Sequence, residues 1–436
     1  MKTMKRNSKQ SRRGLVLPLI AAIALCLALL GIGILQLGFG SRLMATRTMS
    51  GVSARAAADA GITRALYEMN SLFIMGSDPL ALVPPPDVSD QLLNNSNATY
   101  SYKVRGPYTE LLEPYWTIES IGKLGTQEKT VYATLGVRNL LDYGLIVTDS
   151  IDLKSNVLVD GYDSRLGPYS VTNSHGYIRI GSTSIADKSI WLGSLTRVTG
   201  DVLAGIGGDV YEVITNPSRD AITGPWYNLP EPWSFEPITI TVPGSIPNLG
   251  NIRQVDFVGP SITLGVPGTH TYYRYNNINV PTGRSLIFVG DVEIHITGDL
   301  DLNNTAAIFV GDPLNPTVPA RAVIYLDGDL GVANGAAINN LSRVPHNFRL
   351  FGTGPPPQNW DIRNSGDYYG VYYGPNANIH TYATAQFYGS VSGHEFVLNS
   401  DGGLHYDYDL SNLTEYDTGF GIDRLWEKSD FITAGL

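Results

Sequence analysis

The sequence has a single cysteine and little charge. Cys26 lies inside an apolar run, so no disulfide framework can form and packing with backbone hydrogen bonds must stabilise the fold. Charged residues make up 16% of the chain, and the net charge is −10. An acidic chain of this kind argues against nucleic acid as a partner. No metal-ligand motif and no Walker or Rossmann glycine pattern occurs, so we expect no cofactor and no metal.

Charge is missing altogether from residues 15–40, which form a long apolar run. At about 1.5 Å per residue this run is long enough to cross a bilayer core of roughly 30 Å. Before it lie only basic charges: Lys2, Lys5, Arg6, Lys9, Arg12 and Arg13. Since cationic flanks stay on the cytoplasmic side, we expect the remaining chain outside the cytoplasm.

The N-terminal segment has three interpretations. A secretory signal peptide would have a shorter apolar region and a small-residue cleavage site directly after it. The second interpretation is a plain signal anchor. In the third, residues 1–14 are a prepilin-type leader, cut between Gly14 and Leu15, so that Arg13, Gly14 and Leu15 form the processing site.

Proline is absent between residues 41 and 73, where alanine is abundant. Apolar residues recur there at three- and four-residue steps and form one stripe: Ala58, Ile62, Ala65, Leu66, Met69 and Phe73. This pattern predicts one long helix over residues 15–75. A membrane anchor followed by a separate helix is the alternative, because Gly38, Gly40 and Gly51 interrupt the pattern.

Residues 13–17 (Arg-Gly-Leu-Val-Leu) and 53–66, with their Ala-Asp-Ala-Gly element, resemble the start of PilX-type minor pilins and pilus-assembly proteins. The resemblance implies cleavage by prepilin peptidase, methylation of the new N-terminus, and contact with other pilins or pseudopilins through the helix. It assigns the assembly surface to these helix residues: Leu19, Ala58, Asp59, Gly61, Ile62 and Leu66.

Two positions depart from the pilin pattern. Asp59 stands where glutamate is more usual. Cleavage after Gly14 would make Leu19 the fifth mature residue, where pilins usually carry glutamate. A carboxylate in lipid is costly unless it is paired, and its absence removes the usual assembly contact. The departure fits a tip or low-copy subunit, or a protein outside any fibre, and argues against a major pilin.

The rest of the chain predicts a mainly β protein, an α+β fold once the helix is included. Residues 76–98 form a linker, and 99–140 an antiparallel β-meander of three strands. Gly-Asp turns feeding short apolar strands over 141–410 predict a parallel β-helix, with a proline-rich excursion at 216–283. A β-sandwich is the alternative. Residues 411–436 are assigned as a terminal cap or tail.

The late segments 370–379, 385–391 and 404–410 resemble an uncharacterised β-helical domain often found behind PilX-type helices. This second resemblance covers roughly 140–410 and implies no known activity. The abundant tyrosines either stabilise stacked coils or bind sugars and partner chains.

Several carboxylates invite a catalytic or Ca²⁺-binding hypothesis because they alternate on one strand face: Asp299 with Asp301, Asp327 with Asp329, and Glu293 with His295. His405, beside Asp407 and Asp409, has no recognisable nucleophile nearby. Ordinary turn chemistry explains these residues better, so we predict no catalytic residues and no enzyme.

These observations together predict a structural and adhesive minor or tip component of a type IV pilus or related secretion filament, displayed at the cell surface. Expected partners are the inner membrane, other pilins, prepilin peptidase and surface polysaccharide. The alternatives are a membrane-anchored or secreted β-helix enzyme acting on polysaccharide, and an envelope scaffold outside any filament.

Overall fold

The computed structural model describes residues 16–73, 81–110, 113–139, 141–215, 221–230, 233–235, 238–412 and 417–427. The predicted processing site lies outside these residues. The chain divides into two compact units. The first contains Met1–Ile74, Pro79–Val137 and Phe420–Leu436, and the second consists chiefly of Arg138–Gly419.

The helices are α1 (Val16–Leu72) and the short α2 (Val210–Val213). The first half of the strands is β1 (Val88–Leu92), β2 (Thr99–Glu110), β3 (Glu113–Leu124), β4 (Gln127–Asn139), β5 (Leu145–Leu153), β6 (Leu158–Tyr162), β7 (Ile178–Ser182), β8 (Ile190–Leu192), β9 (Arg197–Val198), β10 (Gly200–Ala204), β11 (Ile214–Thr215), β12 (Trp226–Asn228), β13 (Ser261–Leu264) and β14 (His270–Tyr275). The second half is β15 (Ile278–Val280), β16 (Ser285–Phe288), β17 (Gly290–Ile296), β18 (Leu300–Leu302), β19 (Ala307–Val310), β20 (Ala320–Leu326), β21 (Leu330–Val332), β22 (Ala337–Asn340), β23 (Phe348–Gly352), β24 (Gln358–Ile362), β25 (Asp367–Thr381), β26 (Gln386–Leu398), β27 (Gly403–Asp407) and β28 (Asp417–Glu427).

Helix α1 runs without a break through all its glycines, which confirms the prediction of one long helix. A Cβ atom at Gly31, Gly33, Gly38, Gly40 or Gly51 would meet nothing within 4 Å. These glycines therefore serve no close packing within the chain. The most apolar 18-residue window of the helix has a mean hydropathy of 2.6, and none of it is buried in the chain, so its length and composition suit a membrane span.

The first unit contains a five-stranded sheet in the order β1-β2-β3-β4-β28. Antiparallel pairs join β1 to β2, β2 to β3, and β3 to β4. The predicted meander is the centre of this sheet. Its two outer strands differ from prediction, since β1 lies in the predicted linker and β28 in the predicted cap or tail. A lone meander would leave the backbone groups of its outer strands unpaired, and the added strands satisfy them.

The second unit is built on parallel strands, as predicted. One sheet has 19 strands, and a smaller one has the order β13-β16-β19-β22. From β13 to β21 each strand pairs with the third strand after it, as in β14–β17–β20–β23 and β15–β18–β21–β24, whereas β23 and β24 both pair with the long strand β25. Buried and exposed residues alternate, as in Leu300, Asp301 and Leu302. The inward residues of successive strands stack into one continuous core.

The spatial order of the strands differs from their chain order. The late strand β26 pairs with the early strand β5, and β27 pairs with β6. The early strands also pair on their other side, β5 with β7 and β8, and β6 with β9. The start and the end of the second unit therefore meet inside the stack of strands.

This order requires a connection from β12 back to the far edge of the stack. The described residues 229–230, 233–235 and 238–250, here called the strap, follow that path. Along the strap, Trp233 packs on Tyr143, and Phe235 on Tyr373. Thr241 then hydrogen-bonds the Tyr325 hydroxyl at 2.8 Å, and Leu249 donates its backbone N–H to Arg274 at 2.9 Å. The strap is shorter than the predicted excursion at 216–283, because β12 and the run from β13 to β15 form strands between the prolines.

Candidate functional site

The N-terminal half of α1 presents an apolar surface that remains exposed among the described residues. Leu19 is 61% exposed, and Ile23, Leu27, Ile34 and Leu37 are exposed as well. Water does not favour such a surface, so lipid or another protein must cover it. This half of the helix is the first element of the candidate site.

The C-terminal half of α1 is covered by the sheet of its own unit. Its buried side chains are Ala54, Ala57, Ala58, Ile62, Ala65 and Met69. They pack on the sheet residues Trp116, Ile118, Val131, Ala133 and Leu135, with Leu66 and Phe73 at the margin. The predicted apolar stripe is confirmed, and the sheet is its partner.

Small residues allow the helix and sheet to approach closely. The Ser120 hydroxyl donates to the Ala58 carbonyl at 2.7 Å. A Cβ atom at Gly61 would lie 2.2 Å from the Ser120 Oγ, and one at Gly122 would lie 1.9 Å from the Ala54 carbonyl oxygen. The Ala-Asp-Ala-Gly element therefore has a role within the chain. Of the predicted assembly residues, Ala58, Gly61 and Ile62 are buried against the sheet, whereas Leu19 is exposed.

Charged residues of α1 form pairs one helical turn apart. Arg55 Nε lies 2.9 Å from Asp59 Oδ1, and Arg64 Nε lies 2.7 Å from Glu68 Oε1. The Tyr102 hydroxyl of β2 donates to Glu68 Oε2 at 2.6 Å. Burial, and then the hydrogen bond to this carboxylate, raise the pKa of Tyr102. Asp59 thus pairs within its own helix, and Glu68 ties the helix to the sheet.

The predicted pair Glu293 and His295 lies on β17, largely buried. Glu293 accepts a hydrogen bond from Thr241 of the strap and lies 3.2 Å from His270 Nε2. His295 Nε2 lies 2.9 Å from Oδ2 of Asp327, the residue that directly follows β20, which is paired with β17. The two side chains therefore have different partners, and both connect neighbouring parts of the fold.

Two of the predicted carboxylates, Asp299 and Asp329, belong to a ladder of side-chain oxygens at the turns before β18 and β21. Asn251 Oδ1 accepts from the Asn277 backbone N–H at 3.1 Å, and Asn277 Oδ1 from that of Asp299 at 2.8 Å. Asp299 Oδ1 accepts from the Asp329 N–H at 2.9 Å, and Asp329 Oδ1 from that of Asn359 at 2.7 Å. The ladder uses these residues for turn chemistry, in agreement with the preferred interpretation.

A buried acid–histidine pair joins the two ends of the second unit. His405 on β27 and Asp160 on β6 are register partners, and His405 Nδ1 lies 2.6 Å from Asp160 Oδ1. Asp160 is 0% exposed and also accepts from the Tyr169 hydroxyl at 2.9 Å. His405 Nε2 lies 3.1 Å from Gln386 Oε1. Sequence analysis placed His405 beside Asp407 and Asp409, and missed Asp160 because nothing in the sequence links two strands so far apart.

Asp407 is buried beside this pair but has partners of its own. Its Oδ1 accepts from the backbone N–H of Ser164 at 2.9 Å and of Asp409 at 3.2 Å. Its Oδ2 has no hydrogen-bond partner among the described residues. Burial raises the pKa of Asp407. The hydrogen bonds from Ser164 lower this pKa, but by less than burial raises it. The folded chain therefore carries a carboxylate whose charge is poorly solvated.

We expect Asp407→Asn to stabilise the second unit at pH 7 by about 1 kcal/mol, since the amide keeps an oxygen for the two donors and removes the charge. Because folding raises the pKa of Asp407, its contribution favours folding below the ordinary pKa of about 4 and is lost as pH rises through the folded value. The advantage of the variant over wild type should therefore shrink in denaturant melts as pH falls from 7 to 4. Asp187→Asn, an exposed control, should change nothing. A destabilised Asp407→Asn chain at pH 7 would contradict this.

Among the described residues, no group of three or more histidine, cysteine or acidic side chains is placed to hold a metal ion.

Comparison with known proteins gives limited matches. Residues 251–413 match the model of a Domain of unknown function (DUF7305). The chain is 25% identical over 237 residues to the structural polyprotein of Drosophila x virus (isolate Chung/1996), covering 53% of this chain. The match covers only 21% of that polyprotein. The competence-associated pilin ComZ from Thermus thermophilus aligns over 87% of this chain and 97% of its own, with 10% identity and a TM-score of 0.29. At that TM-score the likeness supports no statement about fold or function.

Proposed function

We propose that this chain is a membrane-anchored, pilin-like component of a type IV pilus or related secretion filament, with its parallel β unit outside the cytoplasm. The observation that carries the proposal is the division of α1. One continuous helix has an exposed apolar N-terminal half and a C-terminal half packed on an antiparallel sheet. A filament subunit needs this division, because its apolar half must lie in lipid before assembly and against neighbouring helices afterwards.

The position of the subunit follows from Leu19. With cleavage after Gly14, the fifth mature residue has no carboxylate to pair with the terminal amine of a neighbour. A subunit that cannot offer this contact suits the tip or a low-copy position, where fewer neighbours need to be bound. An envelope scaffold outside any filament is the second candidate, since the same exposed helix half also suits permanent residence in lipid.

We infer that the second unit is a closed β-solenoid. Support comes from the strands β13 to β21, each of which pairs with the third strand after it, which is the repeat expected when each coil has three sides. A solenoid of this kind offers a long rigid surface, which suits display and adhesion.

We propose that the unit has no catalytic role. Two carboxylates that raised the enzyme hypothesis have structural partners: Glu293 is bound by the strap, and Asp327 by His295. A general acid or base must be free to reach a substrate. The polysaccharide-enzyme hypothesis would regain weight if purified chain cleaved a glycan.

The first test is the N-terminal residue of the mature protein, measured by mass spectrometry of membranes from cells with and without prepilin peptidase. We expect a start at Leu15 only when the peptidase is present. An intact Met1 in both strains would mean that the helix is an ordinary membrane anchor, and it would contradict the proposal. A start beyond residue 40 would mean release of a free β domain and would also contradict the proposal.

A further inference from the structure

A groove of about 420 Å³ opens on the second unit, where residues 251–254 meet the turns before β15 and β18. Its lining residues are polar with one exception, Ile252: Asn251, Ile252, Arg253, Gln254, Asn277, Asn279, Asp299 and Asp301. Ile252 is buried and belongs to the core beneath. The groove therefore offers amide, carboxylate and guanidinium groups, with no aromatic side chain among its lining residues.

The wall of this groove is rigid. Asn251, Asn277 and Asp299 are successive members of the oxygen ladder, and each accepts from the backbone of the next turn. Asn279 and Asp301 are register partners on the paired strands β15 and β18. Because these hydrogen bonds hold the side chains of Asn251, Asn277 and Asp299 in place, those side chains lose little conformational entropy when a ligand binds.

Two charged side chains in the groove, those of Asp301 and Arg253, form no ion pair with a described residue. Asp301 makes no hydrogen bond or ion pair with a described residue, although burial and the nearby Asp299 and Asp329 raise its pKa. The Arg253 guanidinium forms no ion pair with a described residue, although it shares the groove with two carboxylates. Opposite charges that share a groove without pairing are available to a ligand that both accepts and donates hydrogen bonds.

We propose that this groove binds a neutral oligosaccharide. Vicinal hydroxyls can donate to the Asp301 carboxylate, while Arg253 and the amides of Asn279 and Gln254 can donate to hydroxyl and ring oxygens. The groove has two carboxylates and one guanidinium, and this net negative charge disfavours the binding of a polyanion. The groove has the volume for a few sugar units. The proposal rests on the proposed function only for the location of the groove outside the cytoplasm.

The test is binding of tetrasaccharides to the full chain in a detergent without sugar headgroups, since a glycosidic detergent would compete. The probes are cellotetraose, tetra-N-acetylchitotetraose and the anionic tetragalacturonate, followed by saturation-transfer NMR and calorimetry. We expect saturable binding of a neutral probe at one site per chain, and weaker binding of the uronate. Asp301→Asn and Arg253→Gln should each lower affinity about tenfold, the loss expected for a hydrogen bond to a charged group.

Asp361→Asn is the matched control, because Asp361 follows in the same register two strands beyond Asp301 and lies outside the groove lining. It should bind like wild type. Absence of saturable binding by both neutral probes, stronger binding of the uronate, or equal affinity in the groove variants would overturn the proposal. None of these outcomes affects the mature N-terminus, so this proposal and the filament proposal fail separately.

Discussion

Replacement of Gly122 by valine is expected to separate the sheet of the first unit from α1. A Cβ atom at this position would lie 1.9 Å from the Ala54 carbonyl oxygen and 2.5 Å from the Ala58 amide nitrogen. Both atoms belong to the helix backbone, so no side-chain rotation can relieve the clash. We expect a loss of about 3 kcal/mol, the upper end of the usual range for overpacking.

Hydrogen exchange of the full chain in detergent measures this effect for each unit separately. Peptides from β2, β3 and β4 should exchange roughly a hundredfold faster in the variant, while peptides from the second unit keep their protection. Gly51→Ala is the control, because its new methyl group meets nothing within 4 Å and alanine favours helix. Unchanged protection of β3 in Gly122→Val would show that the helix and sheet do not pack as described.

Removal of either partner of the Asp160–His405 pair should destabilise the second unit by about 3 kcal/mol, the lower end of the cost of breaking a buried pair, because Asp160 keeps hydrogen bonds from the Tyr169 hydroxyl and the His175 backbone N–H. His405 is 2% exposed and Asp160 0%, so water cannot replace the lost partner. The His405 ring also packs against Tyr169 and Tyr388, at centroid distances of 4.0 and 4.8 Å. The damage should centre on β6 and β27, where the two ends of the unit meet.

A double-mutant cycle of Asp160→Ala and His405→Ala isolates the pair from these ring contacts. The double variant should lose clearly less than the sum of the two single losses. Lys154→Ala is the comparison, because it removes an exposed ion pair with Asp152 and should cost under about 1 kcal/mol. Strictly additive losses for Asp160 and His405 would refute direct coupling between them.

The sequence was sufficient for the elements that depend on local pattern. The spacing of Ala58, Ile62, Ala65 and Met69 predicted the buried face of α1, because a helix repeats its faces every three or four residues whatever lies opposite. The short apolar pieces predicted parallel strands, because alternation and turn residues act within a few positions. Asp299 and Asp329 bond to backbone N–H groups at turns, which agrees with the interpretation of these two acids as turn residues.

The sequence did not predict which distant segments pair with each other. β28 joins the first sheet from the far end of the chain, and β5 lies between β26 and β7. Any strand with the right alternation can hydrogen-bond to an unpaired sheet edge. The periodicity of a strand therefore does not identify the strand it pairs with. The oligosaccharide groove depends on the same kind of pairing, since Asn251, Asn277 and Asp299 meet only through the stacking of successive turns.

The sequence by itself therefore determined the apolar anchor, the buried stripe of its helix and the parallel β character of the large unit, because each depends on residues close together in the chain. Only the tertiary structure decided that the strap returns along the stack and that Asp160 meets His405. It also decided that Gly61 and Gly122 bring the helix and sheet together. These contacts follow from which surfaces pack most closely in three dimensions, a property of the whole fold that no local pattern contains.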